Sequence, residues 1–239
     1  MSQMPEALEP YLRATAPYSG WSGATLRRLV SDATEVRFSA GDVISHAGAP
    51  CNQIFLIEQG VIEFVTPMES GDRHTLSFAS PGVMVGLPTM FHTEPSHQDW
   101  VAFKDVKAWK ITRATFLECF WSDQKMASDL LNALTVWMRY IVQAAANGAY
   151  QDARGRVAYA LRMIFDGAPT GSPHINAALG VSQAKLVQMT GLTRQSVATA
   201  LKLLAGLGIV TVAGQSVRLA SLPRLSALLS GAVMPEEPH

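Results

Sequence analysis

Arg194 and Gln195 open a run, Arg194-Gln195-Ser196-Val197-Ala198-Thr199-Ala200-Leu201-Lys202-Leu203-Leu204, in which polar and aliphatic side chains separate at helical spacing. With Val197, Leu201 and Leu204 turned inward, Arg194, Gln195, Ala198, Thr199 and Lys202 stay outside, and no carboxylate stands among them. Arginine makes paired hydrogen bonds to guanine O6 and N7, and glutamine to adenine N6 and N7. The chemistry on offer is therefore the reading of base edges, with Thr199 reaching a base or a phosphate and Lys202 holding the backbone.

Such a face works only if it is presented at a defined angle. Leu186 and Val187 mark a preceding helix, and Thr190-Gly191-Leu192 breaks it, glycine supplying the positive φ that a tight turn needs. Thr193 is a natural N-cap, so the second helix is predicted to start at Arg194. Thr193 and Ser196 complete the candidate DNA-contacting set. Downstream, Gly208 to Val212 and Ser216 to Leu219 flank Ala213-Gly214-Gln215 and read as a β-hairpin. Two helices and a hairpin in this order make a winged helix-turn-helix, whose partner is double-stranded DNA.

The net charge of zero conceals an asymmetry. Residues 1–149 hold 11 basic and 15 acidic side chains, residues 150–224 hold 8 and 2, and Glu236 and Glu237 lie beyond. A polyanion is drawn to the back of the chain and mildly repelled by the front. Arg154, Arg156 and Arg162, on a helix continued by Val157, Leu161 and Ile164, are further candidates for phosphate contact. Residues 167–180, with Pro169, Gly171 and Pro173, read as a loop or short hairpin.

Ahead of the DNA-binding part, Pro5 to Ser31 hold two short helical patterns around Leu8/Leu12 and Leu26/Leu29/Val30. From Glu35 the period becomes two. Short strands are predicted at Val36/Phe38, Val43/Ile44, Ile54/Leu56, Ile62/Phe64, Leu76/Phe78 and Val101/Phe103 through Ile111, with turns at Gly41-Asp42, Gly48-Ala49-Pro50, Gly60, Gly71-Asp72 and Pro81-Gly82. That spacing fits an antiparallel roll or sandwich.

After a short helix at Thr115 to Phe120, Lys125 to Ala149 carry Leu130, Leu134, Trp137 and Ile141, with Leu131, Met138 and Ala145 alongside. So wide a stripe predicts one edge on the roll and another on the same helix of a second copy. Leu130, Leu134, Trp137, Met138, Ile141 and Ala145 are the candidate dimer contacts. Asn147-Gly148-Ala149 is the expected hinge.

Other classes fit poorly. No Ser/His/Asp, Cys/His, paired-carboxylate or phosphate-loop pattern stands at motif spacing, so an enzyme is not expected. Cys51 and Cys119 are far apart without a CxxC pair, and no metal site is expected. Met1 to Ala14 contain Glu6 and Glu9 and no apolar core, and Asn132, Arg139, Gln143 and Asn147 interrupt the most apolar stretch. A cytoplasmic protein without a membrane partner is expected.

Gly41-Asp42-Val43-Ile44 with Gly48, Ile54 to Ile62 with Gly60, Gly71 to Leu76, and Pro81-Gly82-Val83-Met84-Val85-Gly86 resemble the cyclic-nucleotide-binding roll. With the long helix and the winged helix, the chain resembles a Crp/Fnr-family transcription regulator from about Glu35 to Leu219. The resemblance implies an α+β chain in three parts: an effector-sensing antiparallel β-roll over 1–120, a long dimerisation helix and hinge over 121–149, and a winged-helix DNA-binding domain over 150–239. It also implies a homodimer on a pseudo-palindromic operator, its recognition helices about 34 Å apart, with RNA polymerase as a further partner.

Two departures stand out against the family. Members that bind cyclic AMP carry Gly-Glu-Leu and then Arg-Ser or Arg-Thr, where this chain has Gly86-Leu87-Pro88 and His97-Gln98-Asp99. Leu87 cannot take a ribose hydroxyl, Asp99 would repel a phosphate, and His97 is the sole candidate cation. Ile141 and Val142 stand where the family places hydroxyl groups against adenine. The candidate effector pocket, Val85, Gly86, Leu87, His97, Gln98, Ile141 and Val142, is thus not expected to bind cyclic AMP. His46, His74, His92 and His97 invite a haem or gas-sensing reading, but scattered histidines in a roll are ordinary and haem is not expected. A cyclic-nucleotide-binding regulatory module is the other alternative. Gln195 and Thr199 replace the Glu and Arg common in cyclic-AMP-type relatives, so only the guanine contact of Arg194 carries over.

Overall fold

The computed structural model describes residues 8–15, 17–67, 73–91, 94–150, 152–166 and 180–231, and of residues 137, 139–141, 143–150 and 166 the backbone. The chain opens with α1 (Leu8–Ala14) and, past a 3-10 turn at Tyr18–Gly20, α2 (Gly23–Asp32). The roll follows: β1 (Thr34–Phe38), β2 (Val43–Ser45), β3 (Gln53–Pro67), β4 (Arg73–Ala79), β5 (Met84–Val85), α3 (Leu87–Phe91) and β6 (Asp99–Thr112). Next come α4 (Arg113–Ser122), the long α5 (Gln124–Tyr150) and α6 (Ala153–Asp166). The last part holds β7 (Val181–Ser182), α7 (Gln183–Thr190), α8 (Arg194–Gly206), β8 (Val210–Ala213), β9 (Ser216–Leu219) and α9 (Leu222–Ser230). The fold is the α+β arrangement expected, an antiparallel roll, a long helix and a winged helix-turn-helix. Residues 167–179, where a loop or hairpin was expected, lie outside the described residues.

In the roll the sheet runs β1-β6-β3-β4, with β2 on β6 and β5 on β3, all pairs antiparallel. Gly60 does not end a strand as its sequence context suggests. β3 passes straight through it with a register shift, and Gly60 takes φ 87° where a Cβ would lie 2.1 Å from the Asp105 carbonyl oxygen. The glycine lets two backbones touch and bends one long strand, as a bulge does.

The two faces of this sheet have different tasks. Phe64 pairs with Trp100 and Ser77, and cross-strand partners share a face, here the roll interior with Phe55 and Ile62. Glu63 pairs with Phe78 on the opposite face. That face is covered by the C-terminal domain: Val61 and Phe78 belong to the same apolar cluster as Leu161, Leu186 and Val197. Within the contact Lys185 of α7 forms an ion pair with Glu63, their side chains 13% and 6% exposed. Thr75 Oγ1 donates to the same carboxylate, and the ammonium also lies 5.6 Å from the centre of the Phe103 ring.

Asp123, between α4 and α5, anchors the long helix. Its Oδ1 accepts the Lys125 and Met126 amides at 3.0 and 3.1 Å, and its Oδ2 accepts the Ser22 amide at 2.9 Å and Thr25 Oγ1 at 2.6 Å. One carboxylate thus serves the starts of α5 and α2. Trp21 Nε1 donates to Asp129 a turn later. α5 then runs unbroken through Asn147-Gly148-Ala149, where a hinge was expected. One glycine in a helix interior costs only about 1 kcal/mol and leaves the hydrogen-bond ladder intact, so the connection to α6 falls after Tyr150. No helix among the described residues is long and apolar enough to cross a membrane.

Burial raises the affinity of Asp123 for a proton, but the hydrogen bonds from Thr25, Ser22 and Met126 outweigh it and hold the carboxyl down at about 2. A carboxyl depressed on folding stabilises the fold above its unfolded pKa of about 4, and that contribution, about 2 kcal/mol, is lost as the pH falls towards its folded value. Acid unfolding of the wild type should therefore steepen between about pH 4 and 2. Asp123→Asn, less stable at neutral pH, should show a flatter profile there, followed by circular dichroism.

For the interdomain pair, Lys185→Ala leaves a buried carboxylate without its cation, and the unfolding free energy should drop by about 3–5 kcal/mol. Glu63→Leu with Lys185→Met removes both charges and should recover most of that loss in chemical denaturation. A double variant no more stable than Lys185→Ala would show that the pair stands in water.

Candidate nucleic-acid interface and effector cavity

Ser182 caps α7, its hydroxyl accepting the Lys185 amide at 3.1 Å, and Gly191 closes the helix in the left-handed region at φ 63°. Thr190 Oγ1 returns a hydrogen bond to the Leu186 carbonyl at 2.7 Å. Two residues later Thr193 caps α8 by accepting the Ser196 amide at 3.1 Å, and its hydroxyl also meets Ser196 Oγ at 2.9 Å. Helix α8 begins at Arg194, the position its sequence predicts. Val197, Ala200, Leu201 and Leu204 are buried, while Arg194, Gln195, Ala198, Thr199 and Lys202 are exposed and Ser196 half-buried. The expected polar face is presented to solvent intact, and Leu203, 53% exposed, extends its far edge. Its place off the aliphatic stripe was the signal. Thr193 itself is committed to capping.

The wing forms from β8 and β9 with Gly214 at φ 59° in its turn, and β7 adds a third strand on β9 that the sequence did not announce. Not every basic residue of this domain is free for phosphate. Lys185 belongs to Glu63, Arg156 donates to the Thr190 carbonyl at the end of α7, and Arg224 donates to the Leu207 carbonyl at 3.0 Å. Arg156 and Arg162 are half-buried, contrary to the expected row of exposed arginines. They stand close to the apolar face of α6, which packs on α8 and α9. Arg194, Lys202 and Arg218 remain exposed, and exposed Arg154 stands 3.9 Å from Asp152.

Helix α5 sorts its apolar residues differently from the expected dimer set. Leu130 is 2% exposed within the core of its own chain, beside Met126 and Phe120, and has nothing to give a partner. Leu134 lines the cavity described below. Leu131, Met138 and Val142, at 58%, 59% and 64% exposure, form the free row instead. Val142 therefore leaves the pocket set and joins the row at heptad spacing. Of Trp137, Ile141 and Ala145 the side chains lie outside the description.

Between the roll and α5 lies a cavity of about 370 Å³. Val85, Leu87, His97 and Gln98 line it as expected; Gly86 does not, its φ of 102° turning the backbone against Gln53 and Trp100. Sequence reasoning missed Phe64, Ser77 and Trp100, which β3, β4 and β6 bring together there, and Met84 on β5. Asp99 stands outside the lining. The Ala47 amide at 2.8 Å, against some burial, and Arg73 at 2.9 Å hold its carboxyl below the usual range, and its partnership with Arg73 uses a cation the sequence had not singled out. His46 approaches Asp99 at 3.8 Å, His74 lies on β4, and His92 is outside the described residues. Among the described residues no three His, Cys, Asp or Glu side chains converge as metal ligands would.

This arrangement has known counterparts. Residues 35–123 match the cyclic nucleotide-binding domain family. The cAMP-activated global transcriptional regulator Vfr of Pseudomonas aeruginosa is 24% identical over 196 residues, covering 80% of this chain and 91% of that one. The CRP-like cAMP-activated global transcriptional regulator of Mycobacterium tuberculosis is 21% identical over 92% of this chain and 98% of its own. Among solved structures, FixK2 from Bradyrhizobium japonicum superposes with a TM-score of 0.67 at 21% identity, over 82% of this chain and 96% of that one. The first two are transcriptional regulators by name. Roll, long helix and winged helix follow one another along the chain, which is similar in sequence and fold to transcription regulators of the Crp/Fnr kind.

Proposed function

We propose that the chain acts in the cytoplasm as a homodimeric, sequence-specific DNA-binding regulator whose effector cavity departs from the cyclic-AMP pattern. The observation that carries this is the exposed arc of α8, in which Arg194, Gln195, Thr199 and Lys202 face solvent from a helix fixed at its start by Thr193 and flanked by a wing. The free row Leu131, Met138 and Val142 supports the second half, since a row of large apolar side chains at heptad spacing is buried by a twin helix. The division into a sensing roll over 1–120, a dimer helix over 121–149 and a DNA-binding domain over 150–239 belongs to the same proposal. Helix ends would move its two borders to Asp123 and to the step between Tyr150 and Ala153. RNA polymerase is the further partner.

In this reading Arg194 and Gln195 contact base edges, Ser196 and Thr199 stand beside them, and Lys202 binds phosphate. Binding sites selected from random duplex DNA should yield a two-fold pseudo-palindrome with half-site centres about one helical turn apart. On that site Arg194→Ala should lose about 1–3 kcal/mol while binding to random DNA hardly changes. An equal loss on both would make Arg194 a phosphate contact only. Leu131→Glu with Met138→Glu should shift the chain to monomer in analytical ultracentrifugation and weaken operator binding. A wild type that sediments as a monomer would sink the dimeric reading.

A further inference from the structure

We infer that the cavity between the roll and α5 is a binding site for an uncharged, largely apolar small molecule with one or two hydrogen-bonding groups, in place of a cyclic nucleotide. This deepens the regulator reading and rests on it only for where the ligand acts.

Size comes first. Protein interiors are packed so that few voids exceed a water molecule, whereas this space of about 370 Å³ falls within the range of small-molecule pockets. Its walls are Phe64 and Trp100, whose ring centres lie 6.0 Å apart edge to face, with Met84, Val85, Leu87 and Leu134. Water gains little on such a surface, and an apolar solute gains by leaving solvent.

Charge comes next. A phosphodiester stripped of water needs a cation or converging amides. No lysine or arginine is among the described residues of the lining; its one carboxylate, Glu94, has the sign of the phosphate. Arg73 is held on Asp99 at 2.9 Å and is not among the lining residues. Leu87 offers a ribose hydroxyl nothing. The cyclic nucleotide that the family match suggests does not fit these residues.

Polarity then limits what does fit. Thr89 Oγ1 donates to the Gly86 carbonyl at 2.8 Å, and Ser96 Oγ is engaged with both backbone groups of Gln98 at 3.2 Å. That leaves Ser77, the Gln98 side-chain amide, the exposed His97 ring and, at the exposed edge, the Glu94 carboxylate to meet a ligand. A few convergent polar groups in an apolar pocket orient a molecule without requiring a charge on it.

The test uses N-phenyl-1-naphthylamine, an uncharged apolar fluorophore, and the full chain. Its emission should rise and saturate at micromolar concentration, and millimolar cyclic AMP or cyclic di-GMP should leave it bound. Ala133→Trp and Ser77→Phe fill the cavity from opposite walls, and each should weaken the probe by about tenfold or more; the second guards against a misfolded first. Probe that never saturates, filling variants that bind as the wild type does, or displacement by micromolar cyclic AMP would overturn the inference. Operator binding by gel shift, run in parallel, separates the two readings. A chain that binds the probe but no selected DNA would refute the regulator proposal and leave the cavity assignment standing.

Discussion

A carboxylate sealed behind apolar side chains keeps its charge only if a cation is sealed in with it. Glu63 is such a group, and the cation comes from the helix-turn-helix: Lys185 stands on the first turn of α7, 122 residues away. The pair contributes little net stability compared with an apolar pair of the same volume, but it specifies register. Any slide of α7 along the sheet separates two buried charges. The apolar cluster of Val61, Phe78 and Leu186 supplies the adhesion, and the ion pair sets where it acts. Because α7 is thereby occupied on one side, α8 turns its polar arc outward.

Helix α5 is bound by a similar economy of positions. Asp123 fixes its first turn to the start of α2, and Leu130 fixes the next turns to the core. Beyond that the helix has two sides left. One, through Ala133 and Leu134, closes the cavity; the other carries Leu131, Met138 and Val142 outward. A ligand under one side and a twin helix on the other would share one rigid rod, so a change in either would reach the other without any intervening hinge. The continuity of the helix through Gly148 favours this over a flexible joint at Asn147.

What the sequence made legible followed from local rules. Thr193 and Gly191 act within one turn of themselves, and the aliphatic spacing of α8 determines which residues stay outside; all of these were readable. What failed depended on contacts distant in sequence. Gly60 looked like a turn because its need, a close approach to Asp105, lies 45 residues on. Leu130 and Val142 were misassigned because a broad apolar stripe does not say which edge meets the roll. Arg156 looked like a phosphate contact until the Thr190 carbonyl was seen to take it. Glu63, in an alternating strand, resembled any solvent-facing acid, and only the docked α7 reveals its partner.

The cavity and the winged-helix domain both abut the same two strands. Phe64 and Ser77 line the cavity; the adjacent Glu63 pairs with Lys185 of α7, and Phe78, which also borders the cavity, packs in the core that α7 shares. A sheet is one residue thick, so a ligand that shifts Ser77 inward or outward moves the backbone carrying Phe78. The ion pair is poorly suited to absorb that shift, because a buried charge pair has a narrow optimum where an apolar contact has a broad one. Under the proposed function, coupling between the cavity and the exposed face of α8 would require no pathway through many residues. It requires that the domain held by Lys185 have two preferred positions on the sheet, and that the cavity's occupant favour one of them.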